Sequence, residues 1–127
     1  MMDICFADGF KNVSDIFDSH AHFDDSRFDN CRDELLNALQ NTQGVTGIIN
    51  CASDYNSALF TLELAKKYDF VHAAVGYHPE YVSTAEPVLN ALEELLKTGS
   101  AVAVGEIGLD YYWNPEAAEK QKDYRKL

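Results

Sequence analysis

From residue 16 onward the chain alternates short apolar runs with longer amphipathic stretches, four times over, and this βαβα rhythm restricts the fold more than any other feature. Parallel strands need a crossover of a dozen or more residues, and helices fill it. The first predicted strand is Asp15–Asp18, followed by a helix over residues 30–40 with Leu35, Leu36 and Leu39 at helical spacing and Gly44 as its stop. A second strand, Gly47–Cys51, leads to a helix capped by Ser53 or Asp54 and running to Tyr68, with Leu59, Leu62, Ala65 and Tyr68 as its apolar stripe. The third repeat is Phe70–Val75, a break at Gly76-Tyr77-His78-Pro79, and a helix over Ala85–Lys97 that buries Val88, Leu92, Leu95 and Leu96. Gly99 closes it before the fourth strand, Val102–Glu106. A fourth helix begins at Asn114-Pro115, where proline suits the first turn, and continues through Tyr124. Residues 1–13 show no clear period; residues 1–15 are read as an N-terminal extension of a single α/β domain over 16–127 without repeats or linkers.

At 127 residues and 46% hydrophobic content, the chain is long and apolar enough to bury a real core. Its net charge of −11, from 10 Lys and Arg against 21 Asp and Glu, leaves no global basic field for a phosphate backbone. A nucleic-acid role therefore needs local or metal-borne positive charge. No stretch approaches the ~20 apolar residues that span a bilayer, and Met1-Met2-Asp3-Ile4-Cys5-Phe6 lacks an export signal, so no membrane partner and a cytoplasmic location are expected. Cys5, Cys31 and Cys51 are odd in number and widely spaced, which fits reduced thiols better than disulfides or a CxxC knuckle. No histidine neighbours Cys51 in sequence to make it a nucleophile.

In two places a short run ends at a metal-binding side chain. His20 and His22 lie two residues apart, so in extended backbone both rings project to the same side and can share one ion. The alternative is a pair of surface histidines beyond a strand. Asp18 and Asp24 flank the pair, as carboxylates do when they orient imidazoles behind a metal. Glu106 ends a run that reads as fully buried strand, where a carboxylate needs a cation or a hydrogen-bond partner. An ordinary solvated loop glutamate is the other reading. His78, at the end of the third strand, can reach a phosphate or water at the same rim or simply cap a loop; His72, inside the strand, reads as structural. Asp110, Tyr111, Tyr112 and Trp113 follow the Glu106 strand as a mouth loop, with rings suited to stacking on bases or to packing.

Asp18-Ser-His-Ala-His-Phe-Asp24, Gly76-Tyr-His-Pro-Glu80 and Gly105-Glu-Ile-Gly-Leu-Asp-Tyr-Tyr112, in that order and spacing, resemble the N-terminal half of TatD-type metal-dependent deoxyribonucleases of the amidohydrolase-like superfamily. The resemblance implies the first four βα units of a TIM-type (β/α)8 barrel, hence a partial barrel, since a complete one takes about 250 residues. It implies hydrolysis of DNA phosphodiesters by two divalent ions, Mg, Mn or Zn, that activate water, with His20, His22 and Glu106 as ligands, Glu106 bridging, and His78, Asp110 and Tyr111 toward the substrate. The family's further ligands come from later strands, so at most one weakly held ion and little or no activity are expected here. Open sheet edges predict self-association or pairing with the missing half. Two rival readings are an amide or ester hydrolase of the same superfamily and a non-catalytic remnant serving as a binding or assembly module.

Overall fold

In a computed structural model of the chain, which describes residues 14–42, 44–84 and 88–112, the βαβα rhythm becomes four parallel strands with three helices between them. The strands are β1 (Ile16–Ala21), β2 (Val45–Cys51), β3 (Val71–Val75) and β4 (Ala103–Val104), and the helices α1 (Arg32–Thr42), α2 (Tyr55–Lys67) and α3 (Leu89–Lys97). Short 3-10 turns at Ser26–Phe28 and Pro79–Thr84 follow β1 and β3. The sheet order is β1-β2-β3-β4, so each strand lies beside its sequence neighbour, as in the wall of a βα barrel. The predicted extension before residue 14 and the fourth helix from Asn114 lie outside the described residues.

The core sits between the helices and one face of the sheet. Leu36, Leu64 and Tyr68 from α1 and the α2 end pack with Val45, Ile48 and Val71 of β2 and β3, while Ala58, Leu62 and Leu92 cover Ala73 and Val75. In α2 the buried positions are Ala58, Thr61, Leu62 and Leu64, and Leu59 is exposed. Of the predicted stripe Leu62 and Tyr68 are buried and Ala65 packs against the core, while Leu59 stands out and the small Ala58 lies fully buried beside Ala73 and Val75. Asp54 caps this helix, accepting a hydrogen bond from the Ser57 amide at 2.8 Å. Gly44 and Gly99 both take φ of 70°, the left-handed conformation that ends a helix cheaply only at glycine.

Two strands differ from expectation. β1 runs on through Ser19-His20-Ala21 despite their polarity, because backbone pairing with β2 continues to Ala21 opposite Asn50. Between Asp18 and Ala21 the register shifts, with three steps on β1 set against two on β2, a bulge that re-aims the side chains around His20. The third helix is described from Leu89, after the 3-10 turn at Pro79–Thr84, and its predicted start at Ala85 lies outside the described residues. β4 pairs over only two residues and is exposed, Val102 at 62% and Val104 at 56%, where a fully buried strand was expected. Its burial requires a neighbouring strand and a helix that the described residues do not supply.

Candidate metal centre

β1 and β4 are three strand spacings apart, about 14 Å along a flat sheet, yet the side chains at their carboxyl ends meet. Sheet curvature and a local crossing close that gap. Beyond β4 the Gly105 amide donates to the Val75 carbonyl at 3.0 Å, and the next amide, Glu106, donates to Ala52 at the end of β2 at 2.9 Å. The chain therefore passes over the end of β3 toward β1. It passes directly above Gly76, where a Cβ would lie 2.5 Å from the Gly105 carbonyl carbon and 2.6 Å from the Glu106 oxygen. Only glycine leaves room for this crossing.

The result is a convergence of donors at the rim. Glu106 Oε1 lies 2.5 Å from His20 Nε2 and 3.1 Å from His22 Nε2, and the two Nε2 atoms are 3.1 Å apart. These three residues form a group whose ligand atoms all lie within 4.8 Å of one another. Glu106 is half-buried, with its side chain 20% exposed, whereas His20 is more open. His78 approaches from the other side, its Nε2 3.2 Å from Glu106 Oε2.

Hydrogen bonds assign the ring protons. His22 Nδ1 faces the Cys51 carbonyl at 2.9 Å; a carbonyl only accepts, so Nδ1 carries the proton and Nε2 presents its lone pair to the centre. His78 is the reverse: its Nδ1 accepts from the Glu80 amide at 3.2 Å, so in the neutral ring the proton is on Nε2 and points at Glu106 Oε2. His22 is thus prepared as a ligand and His78 as a donor. Two imidazole nitrogens and a carboxylate oxygen in so small a volume suit a divalent cation, zinc and manganese favouring the imidazoles and magnesium the carboxylate.

The remaining predicted residues fall around this centre. Asp18 accepts a hydrogen bond from the His20 backbone amide at 3.0 Å, so it shapes the bulge rather than touching an imidazole. Asp24 takes hydrogen bonds from Asn50 at 2.8 Å and from Ser57, again at no histidine ring. Asp110 accepts from the Tyr112 amide at 2.9 Å and forms a turn, and Tyr111 is exposed in the same segment. His72 stacks on Phe17 with centroids 6.2 Å apart. Burial and the nearby Glu106 charge push the Cys51 thiol up, so it stays protonated and unreactive. What sequence reasoning missed is the polar support: Asn50, Ser57 and Thr61, and Arg32, which donates to the carbonyls of Phe23 and Asp25. The signal for Asn50 was available as a polar residue inside the otherwise apolar Gly47–Cys51 run.

A parallel βα sheet that gathers two histidines and a carboxylate at its carboxyl rim is half of a barrel of the metal-centred class. The chain belongs to the TatD-related DNase family, whose model matches residues 17–125. It is 31% identical over 109 residues to the uncharacterized metal-dependent hydrolase YabD of Bacillus subtilis, covering 85% of this chain and 42% of that one. The 3'-5' ssDNA/RNA exonuclease TatD of Salmonella typhimurium is 28% identical over 108 residues, 84% of this chain and 41% of that protein. The crystal structure of YjjV, a TatD homologue from Escherichia coli K12, superposes with a TM-score of 0.73 at 33% identity, covering 86% of this chain and 43% of that one. The chain therefore spans less than half the length of the relatives it matches.

Proposed function

We propose that this chain carries the first part of the active centre of a metal-dependent hydrolase that cleaves phosphodiester bonds in DNA. The observation that carries this reading is the meeting of His20, His22 and Glu106 Oε1 within 4.8 Å at the sheet rim. Relatives named as ssDNA/RNA exonucleases support a nucleic-acid substrate.

His20, His22 and Glu106 would hold divalent metal at this rim. Bound ions of this kind lower the pKa of coordinated water and neutralise charge developing on phosphorus oxygens. The chain's own groups do the rest. The Cys51 carbonyl keeps the His22 lone pair facing inward, and His78 holds a proton at Nε2 where a phosphate oxygen or leaving group can receive it. Asp110 and Tyr111 would line the approach. Among the described residues three ligand side chains converge, too few for two ions, and we assign the described part of the chain weak or no turnover. The β1 and β4 edges, unpaired among the described residues, would take further strands or another chain, in a reducing cytoplasm where Cys31 and Cys51 remain thiols.

Calorimetric titration with Zn²⁺, Mn²⁺ and Mg²⁺ tests the centre. Binding to the wild type and its loss in His20→Ala are expected; equal binding by both removes the metal site. A nuclease assay on single-stranded and duplex DNA, with chelator control and a full-length relative alongside, tests the chemistry. Cleavage of neither DNA by that relative would reject the substrate assignment, and silence from this chain beside an active relative fits the ligand deficit.

A further inference from the structure

Asn50 is fully buried in β2, a costly place for an amide unless all its groups are used. They are used on the loop that carries His22. Its Oδ1 accepts from the Phe23 amide at 2.5 Å, and its Nδ2 donates to Asp24 Oδ1 and to Thr61 Oγ1, both at 2.8 Å. Asp24 Oδ2 is taken by the Ser57 hydroxyl at 2.5 Å, and Ser57 Oγ in turn accepts the Ser53 amide at 3.0 Å. The adjoining β2 residue, Cys51, takes His22 Nδ1 at 2.9 Å. Residues 22, 23 and 24 are therefore each fastened to one of two consecutive residues of β2.

We propose that Asn50 is the positioning residue of the histidine pair: it holds the His22–Asp24 loop, through Asp24 and the Phe23 amide, so that His22 Nε2 faces Glu106. The proposal rests on the metal-centre reading above. A carboxamide is the one side chain of this size that accepts from Phe23 while donating twice, to Asp24 and Thr61. Alanine at this position leaves a backbone donor and a carboxylate without their partner. A carboxylate there sets two anions face to face. Alanine detaches the loop from the strand that sets the His22 tautomer, the carboxylate keeps the Phe23 bond but drives Asp24 away, and a ligand displaced by more than about 0.5 Å no longer matches its partners.

The decisive experiment exchanges the two groups. In Asn50→Asp combined with Asp24→Asn, position 50 accepts from Phe23, from Thr61 and from the new amide at 24, whose oxygen still accepts from Ser57, so every hydrogen bond keeps a donor and an acceptor. Wild type, Asn50→Ala, Asn50→Asp and the exchanged pair are compared by thermal melting, by Zn²⁺ calorimetry, and by side-chain ¹⁵N correlation spectra of the metal-free chain. The wild type should show His22 as a fixed Nδ1–H tautomer. Folded Asn50→Asp should average the two tautomers and bind Zn²⁺ at least about tenfold more weakly, the range for loss of a ligand's supporting partner; the exchanged pair should recover both. Wild-type tautomer and affinity in Asn50→Ala or Asn50→Asp overturn the proposal, as does an exchanged pair that regains its melting temperature without the tautomer. If Asn50→Ala and Asn50→Asp do not fold, the exchanged pair alone decides, by showing or lacking the fixed tautomer. Absence of Zn²⁺ binding by the wild type overturns the metal reading instead, and the tautomer spectra still decide the role of Asn50.

Discussion

At the scale of single residues, the centre depends on atoms that a ligand list leaves out. Gly76 contributes no functional group, yet a methyl there collides with the peptide that carries Glu106 over the end of β3. Gly76→Ala should destabilise by about 1–3 kcal/mol as an overpacked site and weaken Zn²⁺ binding as Glu106 is displaced, measured by denaturant unfolding and calorimetry. Wild-type affinity in a folded variant would show that the crossing tolerates the shift. Cys51 makes the opposite kind of prediction. Its thiol is buried and pushed up by burial and Glu106, while Cys31 is half-buried, so mass-spectrometric mapping after brief alkylation at neutral pH should find Cys31 modified well before Cys51.

At the scale of elements, α1 is held to α2 by a polar contact as well as by Leu36. Asp33 accepts from Lys67 and from the Tyr68 hydroxyl, both at 2.6 Å, and these bonds hold its carboxyl below the usual range. A lowered folded pKa stabilises the fold above the unfolded value of about 3.9 and loses that contribution as pH falls through the folded value. Asp33→Asn should therefore flatten the acid side of the stability profile, seen as a smaller drop in urea midpoint between pH 5 and pH 2 than in wild type. Leu36 is fully buried between α1 and the sheet, and Leu36→Ala should cost about 2–5 kcal/mol. The bulge in β1 is the element-level device that matters most for chemistry. It lies beside His20 and lets a short strand end present two rings at one point.

At the scale of the whole molecule, four parallel strands in sequential order leave β1 and β4 as edges among the described residues, and Val102, Val104 and Ile107 stand exposed along the β4 side. Unpaired edges beside apolar surface favour association. Light scattering on the purified chain should find species larger than the 14.2 kDa monomer, and Val104→Lys should shift the distribution toward monomer. A monodisperse wild-type monomer would reject association through this face. No described helix is long and apolar enough to cross a membrane.

The sequence by itself determined the parallel α/β plan, the glycine stops at Gly44 and Gly99, and the residues His20, His22, His78 and Glu106 that the structure gathers at one rim. These are local signals: apolar period, turn chemistry and ligand spacing are all written within a few residues of one another. Tertiary structure alone decided the rest. Whether Val104 is buried depends on a neighbouring strand, and which side of α2 packs inward depends on the close approach of Ala58 to the sheet. The orientation of His22 depends on the carbonyl of Cys51, 29 residues away. Asp18 accepts from the His20 backbone amide and Asp24 from Asn50 and Ser57, partners 26 and 33 residues from Asp24 in sequence, because hydrogen bonds follow distance in space. The cluster of His20, His22 and Glu106 was thus legible as a set of side chains. Its geometry came from β2, a bulge and a glycine crossing that local sequence does not encode.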